Sequence, residues 1–259
     1  MDLRADALLA GAAALAGAIN SIAGGGTLLS FPAAMAWGLP STVANATNAV
    51  AMMPGSLASA WAYRRELRAN ARVVRLLALP AVVGGVAGAM LLHATPVRVF
   101  DAVVPWLVLG ATLIILFQGR VARARKASPA NPRAQRRRTF VAIGAQLLVG
   151  VYGGFFGAAM GIVTLALLFL IMEDDIQARN AVKILLASLI NGVAAIYFVW
   201  AGLVSARAAA IMTLGAVVGG YVGARLALRT PARVVRGLVV TIGLGLSVLL
   251  AYRAWSAES

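Results

Sequence analysis

Asn180, Lys183 and Asn191 are spaced so that a helix begun near Asp175 would carry them on one side. At 100° per residue they lie, with Ala187, within about 80° of one another. An ammonium beside carboxamides can hold a small anion, because the charge attracts it and amide N–H groups donate to its oxygens. Lys183 precedes the apolar run Ile184-Leu185-Leu186-Ala187. A lysine at the centre of a bilayer is costly unless hydrated, paired or neutral, and an anionic substrate would supply the pair. The competing reading is a lysine near the membrane surface that snorkels, with Glu173, Asp174 and Asp175 a few turns away.

A second candidate is Gly24-Gly25-Gly26-Thr27. Three glycines interrupt a helix and leave backbone N–H groups unclaimed. If Thr27 begins a half-helix, its N-terminus offers donors and partial positive charge to an anion. Asn20 and Ser21 stand beside this break. Gly153-Gly154-Phe155-Phe156-Gly157, ending at Gly161, is the counterpart further along. Glycines that merely let helices pack closely would look the same.

These features are linked by an echo at an offset of 135 residues. Ala81-Val82-Val83-Gly84-Gly85 returns as Ala216-Val217-Val218-Gly219-Gly220, and 12 of the 19 positions from 81 to 99 match. The offset carries Asn45-Ala46 onto Asn180-Ala181 and Gly26 onto Gly161. Asn45, Asn48, Met52 and Ser56 thus occupy the stripe matching Asn180, Lys183, Ala187 and Asn191. Polar residues on such faces turn inward in a membrane, toward a bundle interior or aqueous cavity, though helix–helix hydrogen bonding would place them there too. Gly84, Gly85 and Gly88, with Gly219, Gly220 and Gly223, lack polar neighbours and read as packing residues. Thr95-Pro96 and Thr230-Pro231 read as signals that begin a helix.

The elements that hold these residues must be membrane helices. Hydrophobic residues make up 61% of the chain and charged residues 12%, about half the usual soluble share. No charge occurs from Ala7 to Tyr63 or from Thr139 to Met172. The first run would extend ~85 Å as helix, against a bilayer core of ~30 Å. Apolar runs without period-two alternation disfavour a β-barrel. The net charge of +15 comes from arginines grouped at segment ends, which is a membrane-orientation pattern rather than a nucleic-acid face. The chain has no cysteine and one histidine, His93, which falls in an expected loop. Without a Ser/His pair, a buried acid pair or a metal cluster, an intramembrane enzyme is disfavoured, and no cofactor is implied. The segment 1–25 imitates a signal peptide, but a similar segment recurs mid-chain at 139–161, where it cannot be one.

The expected fold is all-α and polytopic, with two homologous repeats of four to five membrane helices each, eight to ten in total. Repeat one covers 5–118, a basic linker 119–138 reads as a solvated cytoplasmic loop, and repeat two covers 139–252. Expected helices are 5–22, 27–37, 42–63 (kinked at Pro54), 73–93 and 97–118, then 139–156, 162–172, 176–201, 206–228 and 232–252. Five crossings per repeat invert the second relative to the first, and four make them parallel. The arginine distribution favours inversion.

In order along the chain, these motifs resemble the TauE/SafE sulfite exporter family, also called the toluene sulfonate uptake family. The resemblance rests on Asn20-Ser21-Ile22-Ala23-Gly24-Gly25-Gly26 with Pro32, Gly38 and Pro40, on Asn45-Ala46-Thr47, and on Tyr152-Gly153-Gly154-Phe155-Phe156-Gly157. It also rests on Asn180-Ala181-x-Lys183 and the paired Gly-Gly-x-x-Gly-Ala segments. It implies a multi-pass secondary transporter of the bacterial inner membrane. The implied cargo is a small sulfur-containing anion such as sulfite, thiosulfate or an organosulfonate, moved by alternating access, with a proton or sodium ion as candidate coupling partner. A permease for another small organic anion is the alternative, and a non-transporting accessory subunit is a weaker one. Lys183, Asn180, Asn191, Asn45 and Asn48 would hold the anion, with Gly24–Thr27 and Gly153–Gly157 aiming backbone N–H groups at it.

Overall fold

The computed structural model describes residues 3–22, 25–123, 132–172 and 176–227, together with 237, 240–241 and 244–245. Among these residues the elements are all helices: α1 (Leu3–Ile22), α2 (Thr27–Ala36), α3 (Ser41–Ala62), α4 (Arg64–Ala69), α5 (Ala71–Ala94), α6 (Val97–Arg123), α7 (Pro132–Phe155), α8 (Met160–Ile171), α9 (Ile176–Trp200) and α10 (Ala206–Ala227). Helices α1, α5, α6, α7 and α9 each hold a stretch long and apolar enough to cross a bilayer. At 10 and 12 residues, α2 and α8 are too short to do so. The helix expected over 232–252 lies outside the described residues except at the few positions named, as do Glu173, Asp174, Asp175 and the linker centre, 124–131.

Three local expectations change. The 119–138 linker is helical at both ends, because α6 continues to Arg123 and α7 starts at Pro132. Proline suits that first helical position, where no intrahelical N–H bond is needed. Helix α4 is an addition to the expected set, since its six residues carry no readable period. His93 belongs to the last turn of α5 rather than a loop, with its Nδ1 2.9 Å from the Tyr197 hydroxyl. Pro54 sits inside α3 without ending it.

Side-chain contacts fix the direction of each helix. Trp37 Nε1, just past α2, donates to Asp6 Oδ1 near the start of α1 at 2.9 Å. So α1 runs inward, breaks, and α2 returns to the face that α1 left. The Tyr63 hydroxyl, beyond α3, meets Gln177 at the start of α9. Arg179 Nη2 donates to the Met172 carbonyl at 3.0 Å, which puts the end of α8 beside the start of α9. Helices α5, α7 and α9 run parallel: Gly84 lies against Gly150 and Gly88 against Phe155, while Gly85 lies against Ile190 and His93 reaches Tyr197. Helix α7 therefore starts on the face to which α8 returns.

The two re-entrant pairs enter from opposite faces. Arg64, Arg65, Arg68, Arg72, Arg75, Arg136, Arg137, Arg138 and Arg179 mark the face of α7 and α8. Among residues with described side chains, Arg4, Arg98 and Arg207 are the arginines on the face of α1 and α2.

Glycines set the closest helix crossings. A Cβ on Gly84, Gly88 or Gly154 would strike backbone of the facing helix in the α5–α7 pair. Gly17, Gly215 and Gly219 do the same between α1 and α10. The sequence offset of 135 residues pairs α1 with α7 and α5 with α10, and the close crossings join α5 to α7 and α1 to α10.

Candidate functional site

Helix α3 descends beside α9, and the break between α7 and α8 closes the space between them on one side. A cavity of about 20 Å³ remains there, room for about one water. Its wall includes Thr27 from α2, Asn45, Asn48 and Met52 from α3, Gly153, Gly154, Phe156 and Gly157 from α7 and the break, and Asn191 and Phe198 from α9. Helix α2, only 10 residues long, starts at this depth because the chain turns at Gly25 (φ +91°), a left-handed conformation that glycine adopts freely. The second break turns at Gly157 (φ +76°) and Ala159 (φ +58°).

Hydrogen bonds hold the wall in place. Asn45 Nδ2 donates to the Phe155 carbonyl at 2.9 Å, joining α3 to the end of α7. The Ser30 hydroxyl donates to Asn48 Oδ1 at 2.5 Å and ties α2 to α3. The Tyr152 hydroxyl donates to the Ala158 carbonyl at 2.6 Å, across the break. Phe156 seals the cavity edge-on against Phe31, with ring centroids 5.4 Å apart.

The expected site residues divide into two groups. Thr27, Asn45, Asn48, Gly153, Gly154, Gly157 and Asn191 share the cavity wall. Asn20 lies behind it, with Nδ2 3.9 Å from Met52 Sδ. Gly24 and the side chain of Ser21 lie outside the described residues. Lys183 and Asn180 stand apart from the wall: Lys183 Nζ donates to Asn180 Oδ1 at 3.2 Å. The lysine stem lies over Gly161, in the first turn of α8, where an added Cβ would be 3.7 Å from Lys183 Cδ. Asn191 is eight residues further along α9, about 12 Å of helix axis. The single polar stripe expected on α9 therefore serves two places.

Two details of the glycine breaks differ from expectation. The Gly26 N–H is not free, because it donates to Asn20 Oδ1 at 2.8 Å. Gly153 and Gly154 are helical, and the break proper spans Phe156 to Ala159. Their lack of a side chain admits neighbours: Gly154 faces Gly85 backbone, and Gly153 faces Met160 and Ile190.

Two polar features stand outside the residues that sequence reasoning singles out. Gln146 on α7 is wholly buried, and neither Nε2 nor Oε1 has a hydrogen-bond partner. Its one signal is its place as a carboxamide inside the charge-free run 139–172. The other is the cluster of Asp6, Trp37 and Arg207, whose members are too far apart in sequence to suggest contact.

The family model described as sulfite exporter TauE/SafE matches residues 9–250. A probable membrane transporter protein of Escherichia coli is 31% identical over 251 residues, covering 95% of this chain and 89% of its own length. One from Haemophilus influenzae is 25% identical over 238 residues, covering 90% of this chain and 89% of its own. One from a Sinorhizobium species is 28% identical over 241 residues, covering 92% and 89%. No solved structure matches the chain.

Proposed function

Because the chain belongs to the TauE/SafE sulfite exporter family, we propose that it is a secondary transporter that moves small sulfur-containing anions by alternating access. It is a membrane transporter and not an enzyme, as its family and relatives are. For substrate and mechanism, one observation carries the reading. Two short helices from opposite faces, α2 and α8, begin inside the bundle beside a stripe of carboxamides and a lysine. Helix N-termini placed there present positive dipole ends to an anion.

In this reading Lys183 supplies the charge, and Asn45, Asn48, Asn180 and Asn191 donate to substrate oxygens in turn as the anion moves. Sulfite, thiosulfate or an organosulfonate is larger than one water, so α3 and α9 must separate for any of them to pass. Among the described residues no carboxylate lines the wall, which leaves a proton or sodium ion as the coupling partner to be tested rather than derived. The arginine-rich face and the 119–138 linker are assigned to the cytoplasm of a bacterial inner membrane by the positive-inside rule.

A permease for another small organic anion is the second reading. It is favoured by the uncharged cavity wall, which selects by size and hydrogen bonding rather than by sulfur. Flux of sulfite, thiosulfate and taurine into proteoliposomes, against acetate and lactate, separates the two. The Lys183→Ala variant should abolish flux while folded protein remains in the membrane. Undiminished flux in that variant removes Lys183 from the mechanism.

A further inference from the structure

Gln146 is the polar side chain that the fold leaves with least explanation. It is 0% exposed, and both ends of its amide lack partners. Leaving one such group unpaired in a buried site costs about 1–3 kcal/mol, so chains rarely keep one without a use. Its neighbours on α7 at one turn either way, Ile143 and Val149, pack into the apolar cluster between α5, α8 and α9. Gln146 therefore looks into the bundle rather than at lipid.

Helix register gives its depth. Gly153 on α7 lies against Ile190 on α9, and the two helices are parallel. Gln146 and Lys183 each come seven residues earlier. Seven residues are close to two full turns, so each lies on the same side of its helix as that contact. The α-carbons of Gln146 and Lys183 therefore stand at one level, about 10 Å from the Gly153–Ile190 contact toward the arginine-rich face. From there the lysine stem reaches the first turn of α8, where it lies over Gly161. In that turn the Met160, Ile162 and Val163 N–H groups donate to the Gly157 and Ala159 carbonyls, while Ala159 has no side chain that could cap the helix.

We propose that Gln146, Lys183, Asn180 and the start of α8 form a second anion station, separate from the neutral cavity, in which Gln146 contacts the substrate. The inference rests on the transport reading above. The station suits a compact oxyanion, since Nε2 of Gln146 donates to one oxygen while the ammonium neutralises the charge. The neutral cavity beyond would then be a second stop on the same route, reached without a charged side chain.

The test uses full-length protein in proteoliposomes, with sulfite and thiosulfate as probes. Gln146→Met keeps the length of the side chain and removes both polar atoms. It should preserve or raise the melting temperature and raise KM about tenfold, the usual loss for one hydrogen bond to a charged group. Gln146→Glu would pair with Lys183 and should raise KM further than Gln146→Met. Unchanged KM in both variants, with wild-type flux intact, overturns the role of Gln146. Failure of Gln146→Met to fold also overturns it, because an unpartnered amide should be replaceable by an isostere. If wild-type protein moves neither probe, the transport reading fails instead.

Discussion

Arg207 on α10 donates from Nη2 to the Asp6 carboxylate on α1 at 2.5 Å. Trp37 donates to the other oxygen of the same carboxylate, and the Arg207 guanidinium lies 5.7 Å from the Trp37 ring centre. Three elements of the arginine-poor face, α1, the end of α2 and α10, are thereby held together. At the offset positions on the opposite face stand Val141, Met172 and Arg72, which include no carboxylate. This three-residue contact therefore has no counterpart at the offset positions.

Breaking this contact should open the arginine-poor face. The chain contains no cysteine, so a single cysteine at Ala49 in the cavity wall reports access cleanly. Asp6→Asn and Arg207→Gln should each raise its labelling by an impermeant thiol reagent several-fold from that face. Equal labelling in variants and parent would mean that the contact does not gate the cavity.

Orientation can be read with two further single cysteines. Ala94 is exposed at the end of α5, and Ala69 is exposed at the end of α4. Ala94→Cys should react with an impermeant reagent in intact cells. Ala69→Cys should react only after permeabilisation. The reverse pattern would invert the assignment of the arginine-rich face.

Glycine substitutions should divide by what a methyl group meets. Gly88→Ala drives into the Val151 carbonyl and Gly219→Ala into that of Ala14. Each should destabilise by about 1–3 kcal/mol, the usual cost of overpacking, and lower the melting temperature in detergent. Gly110→Ala meets nothing within 4 Å and should be close to neutral. A similar loss at all three positions would contradict the close crossings.

Ala159 holds a left-handed conformation, with φ +58°, which costs an L-residue about 1–2 kcal/mol. Its offset partner is Gly24. Ala159→Gly should raise thermal stability, and Ala159→Val should lower it. Stabilisation by valine would show that the turn is not strained.

The parts of this molecule that follow a period are legible in the amino-acid sequence. The asparagines of α3 and α9 recur at helical spacing, and the glycine segments recur at 135 residues, so both stand out. Direction does not, because a break such as Gly24-Gly25-Gly26 does not say whether the next helix continues or returns. The Trp37–Asp6 contact decides that, and it joins residues 31 positions apart that share no pattern. Helical spacing puts Lys183 on the right stripe, but the stripe covers more depth than the cavity does. Gln146 escapes such reasoning because a lone amide among apolar residues has no partner to suggest a role.

The packing of α10 on α1 has a consequence for biogenesis. Asp6 and Arg207 are separated by 201 positions. At about 5–20 residues per second, the ribosome takes some 10–40 s to deliver α10 after α1. During that interval α1 lacks the helix that Gly17, Gly215 and Gly219 seat against it.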